Sequence, residues 1–393
     1  MQNWELVNFC ELDKYAIDSY CAIHKVNKAL NLGDVTKVNE NNLAEFTMLC
    51  GGSPCQDFSA SGKQKGVLWE CADCGYSYNP IMIQWNKRNT CPECNSVNIK
   101  KTRSSLLIEY LRLLRTKHPK FAIYENVKNI TSKGFSSTFA AFLNEIDSYG
   151  YNVYWKILNA KGFGIPQNRE RVYVIMIDKT LDNKQFAFPQ EIDMGIRLKD
   201  ILEDSVDSKY NLSGVNIDTL LQSVNTKNKS YAIRKLTPIE CLKLMGFTSK
   251  DYKEMRDVNI SDSQIYKQIG NSIVVDVLYY IYTELYKVMP YLFEDLRLLS
   301  LFSGIGAFEK ALTLFYEDKD KSCFKKRVEN VKENYKLIKM GNIYKSKGQN
   351  GNIYSIEGIS PTISSGVTDT AVNRGIGSNN APKIVYQLNT TFS

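Results

Sequence analysis

The sequence predicts an α/β protein: a mostly parallel sheet with helices on both faces. Two observations carry this, and a third marks an addition to it. Short apolar runs alternate with helical periods through the first third of the chain, the pattern of βαβ units. Several of those runs end in a glycine turn or a carboxylate, and open α/β sheets gather their chemistry at the carboxyl ends of strands. A small extra unit is marked by Cys71-x-x-Cys74 and Cys91-x-x-Cys94, with sixteen residues (75–90) between the pairs.

Residues 4–10 read as a strand, and 47–50 as a short one ending in Gly51–Gly52. Leu106, Leu107, Tyr110, Leu111 and Leu114 share one helical face. Residues 121–124 form a strand after Pro119; Phe139, Phe142, Leu143 and Ile146 mark a helix that stops at Gly150. Strands follow at 151–158 and 172–177, and the pattern weakens from 179 to 229. Thr237 then caps a helix with Pro238 at its first position and Glu240 closing a capping box. A further helix is expected over 272–286, opened by Gln268–Ser272, and 298–302 is an apolar strand running into a glycine turn. The tail beyond 318 reads as a small β-rich or loop-rich region, with Gly341-Asn342-Ile343-Tyr344 repeated at Gly351–Tyr354.

Bulk properties narrow the function. The 393 residues allow one large domain and a smaller one; 43% are hydrophobic and 23% charged, as in a soluble globular protein. The net charge of +8 suits a polyanionic partner. The opening residues lack a basic start followed by a long apolar core, and no run is long enough for a membrane span, so a cytoplasmic address is expected. The ten cysteines then suggest metal binding or catalysis rather than disulfides. With two histidines, His24 and His118, histidine-based chemistry is poorly supplied.

Five segments carry candidate chemistry. Cys55, in Gly51-Gly52-Ser53-Pro54-Cys55-Gln56, stands just past a strand end, where a thiolate could act as a nucleophile; an inert loop cysteine is the bland alternative. Glu125 follows a buried strand, where desolvation would keep a carboxyl protonated for acid work; otherwise it is a helix-start carboxylate. Arg169 and Arg171, two apart, would face one side of a strand and suit a phosphate or a base edge, or make ordinary salt bridges. Phe302-Ser303-Gly304-Ile305-Gly306 joins a strand to a helix as nucleoside-type sites do, although with two glycines only. Gln268-Ile269-Gly270-Asn271-Ser272 alone would pass as a capping turn.

Together these segments resemble the DNA (cytosine-5) methyltransferase family, over roughly residues 1–315. Pro54-Cys55-Gln56 looks like the family's nucleophile loop, Glu125-Asn126-Val127 its acidic motif, and Gln167, Arg169 and Arg171 its Gln-x-Arg-x-Arg motif. Arg234–Glu240 with Gly246–Phe247 is similar to the segment after target recognition, Gln268–Ser272 to the last motif and Phe302–Gly306 to the first. The resemblance implies a Rossmann-like S-adenosylmethionine-dependent fold. It implies that Cys55 attacks carbon 6 of a flipped-out cytosine, that Glu125 serves ring nitrogen 3, that Arg171 holds O2 and that Arg169 steadies the pocket or a phosphate. It also implies that Phe302, Ser303, Gly304, Ile305, Gly306, Glu11, Leu12, Asp34, Val35, Pro54, Asn271 and Ser272 line the cofactor pocket, with Glu11 on the ribose, Asp34 on the adenine amine, and Gly304 and Gly306 giving backbone access.

The chain departs from the family pattern in two ways. The motif that opens the family's order, Phe302–Gly306, comes last, which reads as a circular permutation; a chain that lends this motif to a second copy, and a rearranged inactive product, are the competing readings. Second, the four cysteines have the spacing of a structural zinc ribbon inserted beyond the nucleophile loop. The expected organisation is a catalytic domain over 1–180 and 265–316, a ribbon over 67–101, and a target-recognition region over 181–264 and 317–393, the last because residues 354–362 resemble recognition segments of some relatives. The expected partner is double-stranded DNA in a bacterial or phage-infected cell, with a restriction endonuclease counterpart and self-association as candidates. RNA methylation and a non-catalytic DNA-binding protein with a decayed fold stay open as alternatives.

Overall fold

A computed structural model describes residues 4–54, 58, 66–214, 217, 218, 221, 231–319, 339–342, 352–363 and 382–387. Cys55 and Gln56 lie outside the described residues, as do Ile343, Tyr344 and Gly351 of the tail repeat.

The chain opens with β1 (Trp4–Cys10) and α1 (Lys14–His24), whose first amides are capped by Asp13. After β2 (Met48–Gly51) come the short strands β3 (Trp69–Cys71), β4 (Ser77–Tyr78) and β5 (Ile99–Lys101). The chain continues through α2 (Leu107–Lys117), β6 (Phe121–Val127), α3 (Ser136–Ser148), β7 (Tyr151–Asn159), β8 (Gln167–Asn168) and β9 (Glu170–Asp178). Next are β10 (Tyr231–Lys235) and four helices, α4 (Pro238–Lys243), α5 (Ser249–Asp257), α6 (Asp262–Asn271) and α7 (Val275–Val288). Then β11 (Leu296–Leu301) runs into α8 (Ala307–Asp318), and the tail supplies β12 (Lys339–Asn342), β13 (Asn352–Ser355), β14 (Ser360–Pro361) and β15 (Lys383–Gln387).

The central sheet has the order β1-β11-β2-β6-β9-β7. The pairs β1/β11, β11/β2 and β2/β6 are parallel; β9 runs antiparallel to both β6 and β7. Strands buried on both faces need nearly continuous apolar sequence, as Met48–Gly51 and Leu296–Leu301 have. Alternate residues feed two cores. Met48, Cys50, Phe121 and Ile123 pack with residues of α4, α7 and α8 on one face. Leu49, Ala122, Tyr124 and Leu301 pack with α2 and α3 on the other. The predicted α/β class is thus the observed one. The slot between β1 and β2 is filled by the chain's own β11, nearly 250 residues downstream of β2.

The capping box at Thr237 forms as read: its hydroxyl accepts the Glu240 amide, and the Glu240 carboxylate accepts the Thr237 amide. Three local readings need correction. Glu125 does not follow its strand but lies within β6, because antiparallel pairing with β9 carries the strand on to Val127. Arg169 and Arg171 do not share one strand, since the chain breaks between β8 and β9 at Arg169. Gln268–Ser272 closes a helix rather than opening one: Ser272 is the C-cap of α6, and the next helix begins at Val275.

The tail folds back on the body. The two copies of the Gly-Asn repeat face each other, with Gly341 opposite Ile353 and Asn342 opposite Asn352 across β12 and β13. The sheet continues as β13-β15-β10, and β14 pairs with β8. Residues 236–260 pack with the central sheet: Leu236, Leu242, Met245 and Ile260 share a core with Met48 and Phe121. A buried bidentate pair, Arg234 on Glu240 at 2.7 Å for both bonds, ties β10 to α4.

Candidate active site

Four chain segments meet at one end of the central sheet. The first is the exit from β2. A Cβ on Gly52 would lie 2.9 Å from Glu125 Oε2 and 3.0 Å from the Glu125 carbonyl, so glycine alone lets this turn approach the carboxyl. Ser53 is fixed from below: its hydroxyl is 2.7 Å from the Tyr124 phenol, and Asn126 Nδ2 donates to both the Ser53 carbonyl (3.1 Å) and that phenol (2.7 Å). Sequence reasoning missed this Ser53–Tyr124–Asn126 network; only the asparagine of Glu125-Asn126-Val127 hinted at it.

Glu125 is the second element. It is 7% exposed and faces Arg171, with Nε–Oε1 at 3.2 Å. Burial pushes its carboxyl above the ordinary range, against the opposing pull of Arg171 and Arg169. The structure therefore places a carboxyl biased toward its acid form beside the turn that leads into Cys55, which itself lies outside the described residues.

Arg169 forms the third element. It is buried, and its guanidinium donates to the backbone carbonyls of Gly270 (3.2 Å), Ser272 (2.7 Å) and Ile363 (2.8 Å). It thus joins β8, the end of α6 and the tail, and does not face outward as a phosphate ligand would. Ser272 is buried in this junction, whereas Asn271 is exposed.

The fourth element is the β11–β1 corner. β2 and β11 touch closely, since a Cβ on Gly51 would lie 2.8 Å from the Leu301 carbonyl. The chain turns at Phe302, a non-glycine residue with φ +54°, a conformation that costs about 1–3 kcal/mol. The Ser303 amide donates to the Cys10 carbonyl at 3.1 Å, and the Gly304 amide to Glu11 Oε2 at 2.9 Å. Glu11 Oε1 accepts the amides of Leu12 (2.8 Å) and Asp13 (2.9 Å). Asn31 Oδ1 braces the same corner by accepting the amides of Glu11 and Gly33, each at 3.1 Å. Asp34 Oδ1 accepts the amide and hydroxyl of Thr36, while Val35 is buried. Residues 10–13, 31–36 and 302–306 thus converge.

Within that corner the two glycines do different work. A Cβ on Gly304 would meet nothing within 4 Å, so its open face is accessible to a ligand. A Cβ on Gly306 would lie 2.1 Å from His24 Nε2, and the buried Ile305 carbonyl accepts from that ring at 3.0 Å. Gly306 therefore serves the packing of α8 on α1. Leu12, 67% exposed beside Glu11, offers a bare apolar face.

Beyond the β2 turn, the sulfurs of Cys71, Cys74, Cys91 and Cys94 all lie within 4.8 Å of one another. Cys71–Cys94 and Cys74–Cys91 are each 3.6 Å apart. The two knuckles are alike. The Cys71 amide donates to Tyr76 O and the Cys91 amide to Ser96 O, and each turn passes through a left-handed residue, Gly75 (φ +74°) or Asn95 (φ +58°). The insertion is seated on the body by Trp69, Tyr78 and Ile81 in the α2–α3 core and by the Arg88–Glu145 ion pair.

The sequence matches the family described as C-5 cytosine-specific DNA methylase over residues 1–71, 95–231 and 216–287. The chain belongs to this family. It is 29% identical to the orphan methyltransferase M.SPBetaI of Bacillus phage SPbeta, over 72% of this chain and 92% of that one. It is 33% identical to the type II methyltransferase M2.ScrFI of Lactococcus lactis subsp. cremoris, over 69% of this chain and 74% of that one. With the type II methyltransferase M.HhaI of Haemophilus parahaemolyticus the identity is 30%, over 70% of this chain and 86% of that one. The methylase transfers a methyl group from S-adenosylmethionine to carbon 5 of cytosine in DNA; neither RNA methylation nor a non-catalytic role is favoured. The family match skips residues 72–94, the stretch that follows Cys71 and ends on Cys94. Among the described residues, no helix is long and apolar enough to cross a membrane.

Proposed function

We propose that Cys55 is the nucleophile of this reaction, Glu125 its acid and Arg171 the group that holds the cytosine ring. The observation that carries the reading is the placement of Glu125: buried, biased toward protonation and 2.9 Å from the Cβ position of Gly52, three residues before Cys55. The Cys55 thiolate forms a bond to carbon 6 of a cytosine flipped out of duplex DNA. Glu125 gives its proton to ring nitrogen 3, so the ring carries no net negative charge as carbon 5 becomes nucleophilic. S-adenosylmethionine, when bound, supplies the methyl group to carbon 5. A base, which water can provide, removes the carbon 5 proton; the sulfur–carbon bond then breaks and nitrogen 3 returns its proton to Glu125. Arg171, already oriented on Glu125, holds O2. Arg169 is a positioning residue, engaged with three backbone carbonyls.

The β11–β1 corner fits the cofactor. Glu11 would take the ribose hydroxyls, Asp34 the adenine amine, Leu12 an adenine face, and the open side of Gly304 the backbone of the ligand. Pro54, Phe302, Ser303 and Asn271 would complete the lining.

The four thiolates fit zinc. Tetrahedral zinc with Zn–S near about 2.3 Å separates its sulfurs by roughly 3.8 Å, close to the 3.6 Å observed in two pairs. A set of four cysteines leaves no position for water, so the ion is structural. The motif order is that of a circular permutation, a reading supported by β11 lying parallel between β1 and β2. A recognition unit built from residues near 198–235 and the tail is supported by the mixed sheet β10-β15-β13-β12 and by the Leu198 and Lys199 amides, which donate to Gly358 and Ile356.

The test is transfer of labelled methyl groups to duplex DNA, followed by nucleoside analysis. The wild-type chain should yield 5-methylcytosine, and Cys55→Ala none. Label on adenine, or equal product from Cys55→Ala, would refute the assignment. One zinc per chain by atomic emission, lost in Cys74→Ser, checks the metal.

A further inference from the structure

The cysteine insertion leaves and rejoins the body at the two ends of one stretch of chain. That stretch runs from Pro54 to Gly66 and contains Cys55. The residues that follow the insertion reach back to both ends. Ser104, fully buried, donates through Oγ to the Pro54 carbonyl at 2.9 Å. This is the carbonyl of the peptide bond that joins Pro54 to Cys55. Thr102 donates through Oγ1 to the Gly66 carbonyl at 3.2 Å. A third hold acts between them: Asn129 Nδ2 donates to the Phe58 carbonyl at 2.5 Å, and the buried Phe58 ring packs edge-on against Phe135.

The two hydroxyls are placed by the insertion's own sheet. Thr102 follows β5 directly, and β5 pairs antiparallel with β3, with Trp69 opposite Lys101 and Cys71 opposite Ile99. The Thr102–Gly66 contact therefore prolongs that ladder on the side facing the body. At its other end the ladder terminates in Cys71, one of the four clustered thiols. Three-residue strands have little register of their own, so the ladder depends on what closes its far end. Ser105 adds rigidity by donating from Oγ to the Thr102 carbonyl at 2.6 Å.

We propose that Ser104 and Thr102 are positioning residues for the nucleophile, and that the metal-closed knuckles set them in place. The insertion is then a strut: it fixes the peptide preceding Cys55 from above, as Tyr124 and Asn126 fix Ser53 from below. This inference rests on the assignments of Cys55 and of the metal site made above. It goes beyond them in linking metal occupancy to the covalent step.

The test is the single-turnover rate of covalent adduct formation with duplex DNA carrying 5-fluorocytosine, at saturating S-adenosylmethionine. Affinities for cofactor and for DNA are measured in parallel. Ser104→Ala should slow the adduct by roughly tenfold or more, the worth of one buried hydrogen bond, with both affinities unchanged. Ser104→Thr, which keeps the hydroxyl, should restore most of the rate. Chelator-stripped protein should show the same slowing with cofactor affinity retained, and stripping Ser104→Ala should add little. A wild-type rate in Ser104→Ala or in metal-free protein overturns the proposal. So does a loss of cofactor affinity on stripping, which would make the insertion a general stabiliser. If the wild-type chain forms no adduct, the nucleophile assignment fails and the strut with it; a wild-type adduct with indifferent Ser104→Ala sinks only the strut.

Discussion

Glu125 and Arg171 stand on neighbouring strands of one sheet, β6 and β9, 46 residues apart in sequence and 3.2 Å apart in space. Gly304 and Glu11 make a shorter contact, 2.9 Å, from positions 293 residues apart. The first corner is assembled by antiparallel pairing along seven consecutive residue pairs. The second exists only if β11 finds the slot between β1 and β2. The chemistry of proton supply is thus built into local topology, whereas the cofactor corner is a product of the whole fold. Substitutions at the two corners should accordingly fail in different ways.

The largest effect is expected at the first corner. Glu125→Gln should lower kcat by roughly 10²–10⁴-fold, the usual contribution of a positioned proton donor, and leave equilibrium binding of S-adenosylmethionine unchanged. Equal loss of cofactor affinity would mean that the corners are not separable. At the second corner, Glu11→Ala removes the acceptor for Gly304 and should weaken cofactor binding by roughly tenfold to a hundredfold, with the saturated single-turnover rate retained.

The pH dependence sharpens the contrast. Burial raises the Glu125 carboxyl above its ordinary value, and Arg171 opposes this. The acid form is the active one, so kcat should fall as pH rises through that pKa. Arg171→Gln removes an opposing positive charge, which raises the pKa further and moves the falling limb of kcat to higher pH. A limb that stays put or moves down would contradict the assignment of Glu125.

How much was legible follows the same division. Cys71–Cys94 could be read from spacing, because a four-thiol site is written in two short motifs. The capping box at Thr237–Glu240 could also be read, because its partners are three residues apart. The helix boundary at Gln268–Ser272 was misread: Gly270 and Asn271 resemble an opening turn, and only the packing of Ile265 and Ile269 in the core extends α6 through them. The role of Gly306 was invisible, since the His24 ring that excludes a side chain there comes from α1, some 280 residues earlier. Likewise the motif left Arg169 between steadying the pocket and holding a phosphate, because its partners at 270, 272 and 363 come from distant chain.

The smallest effect tests the packing of the second corner. Gly306→Ala puts a Cβ 2.1 Å from His24 Nε2 at a backbone φ of +78°. It should destabilise the fold by about 1–3 kcal/mol in denaturant unfolding. His24→Ala in the same chain should recover part of that loss, leaving the backbone strain and the contact with Tyr20. No recovery would mean that the cost lies in backbone strain and in the Tyr20 ring, whose Cε2 is 2.9 Å from the same Cβ position.

The central claim is that this single chain, with β11 following α7, completes a cytosine site around Cys55. The most direct measurement is mass spectrometry of the denatured complex formed with S-adenosylmethionine and 5-fluorocytosine duplex DNA, in which fluorine blocks the final proton removal. The account predicts a stable protein–DNA adduct whose peptide map places the modification on Cys55, and no adduct in Cys55→Ser. An adduct on any other cysteine, or one that persists in Cys55→Ser, would contradict it.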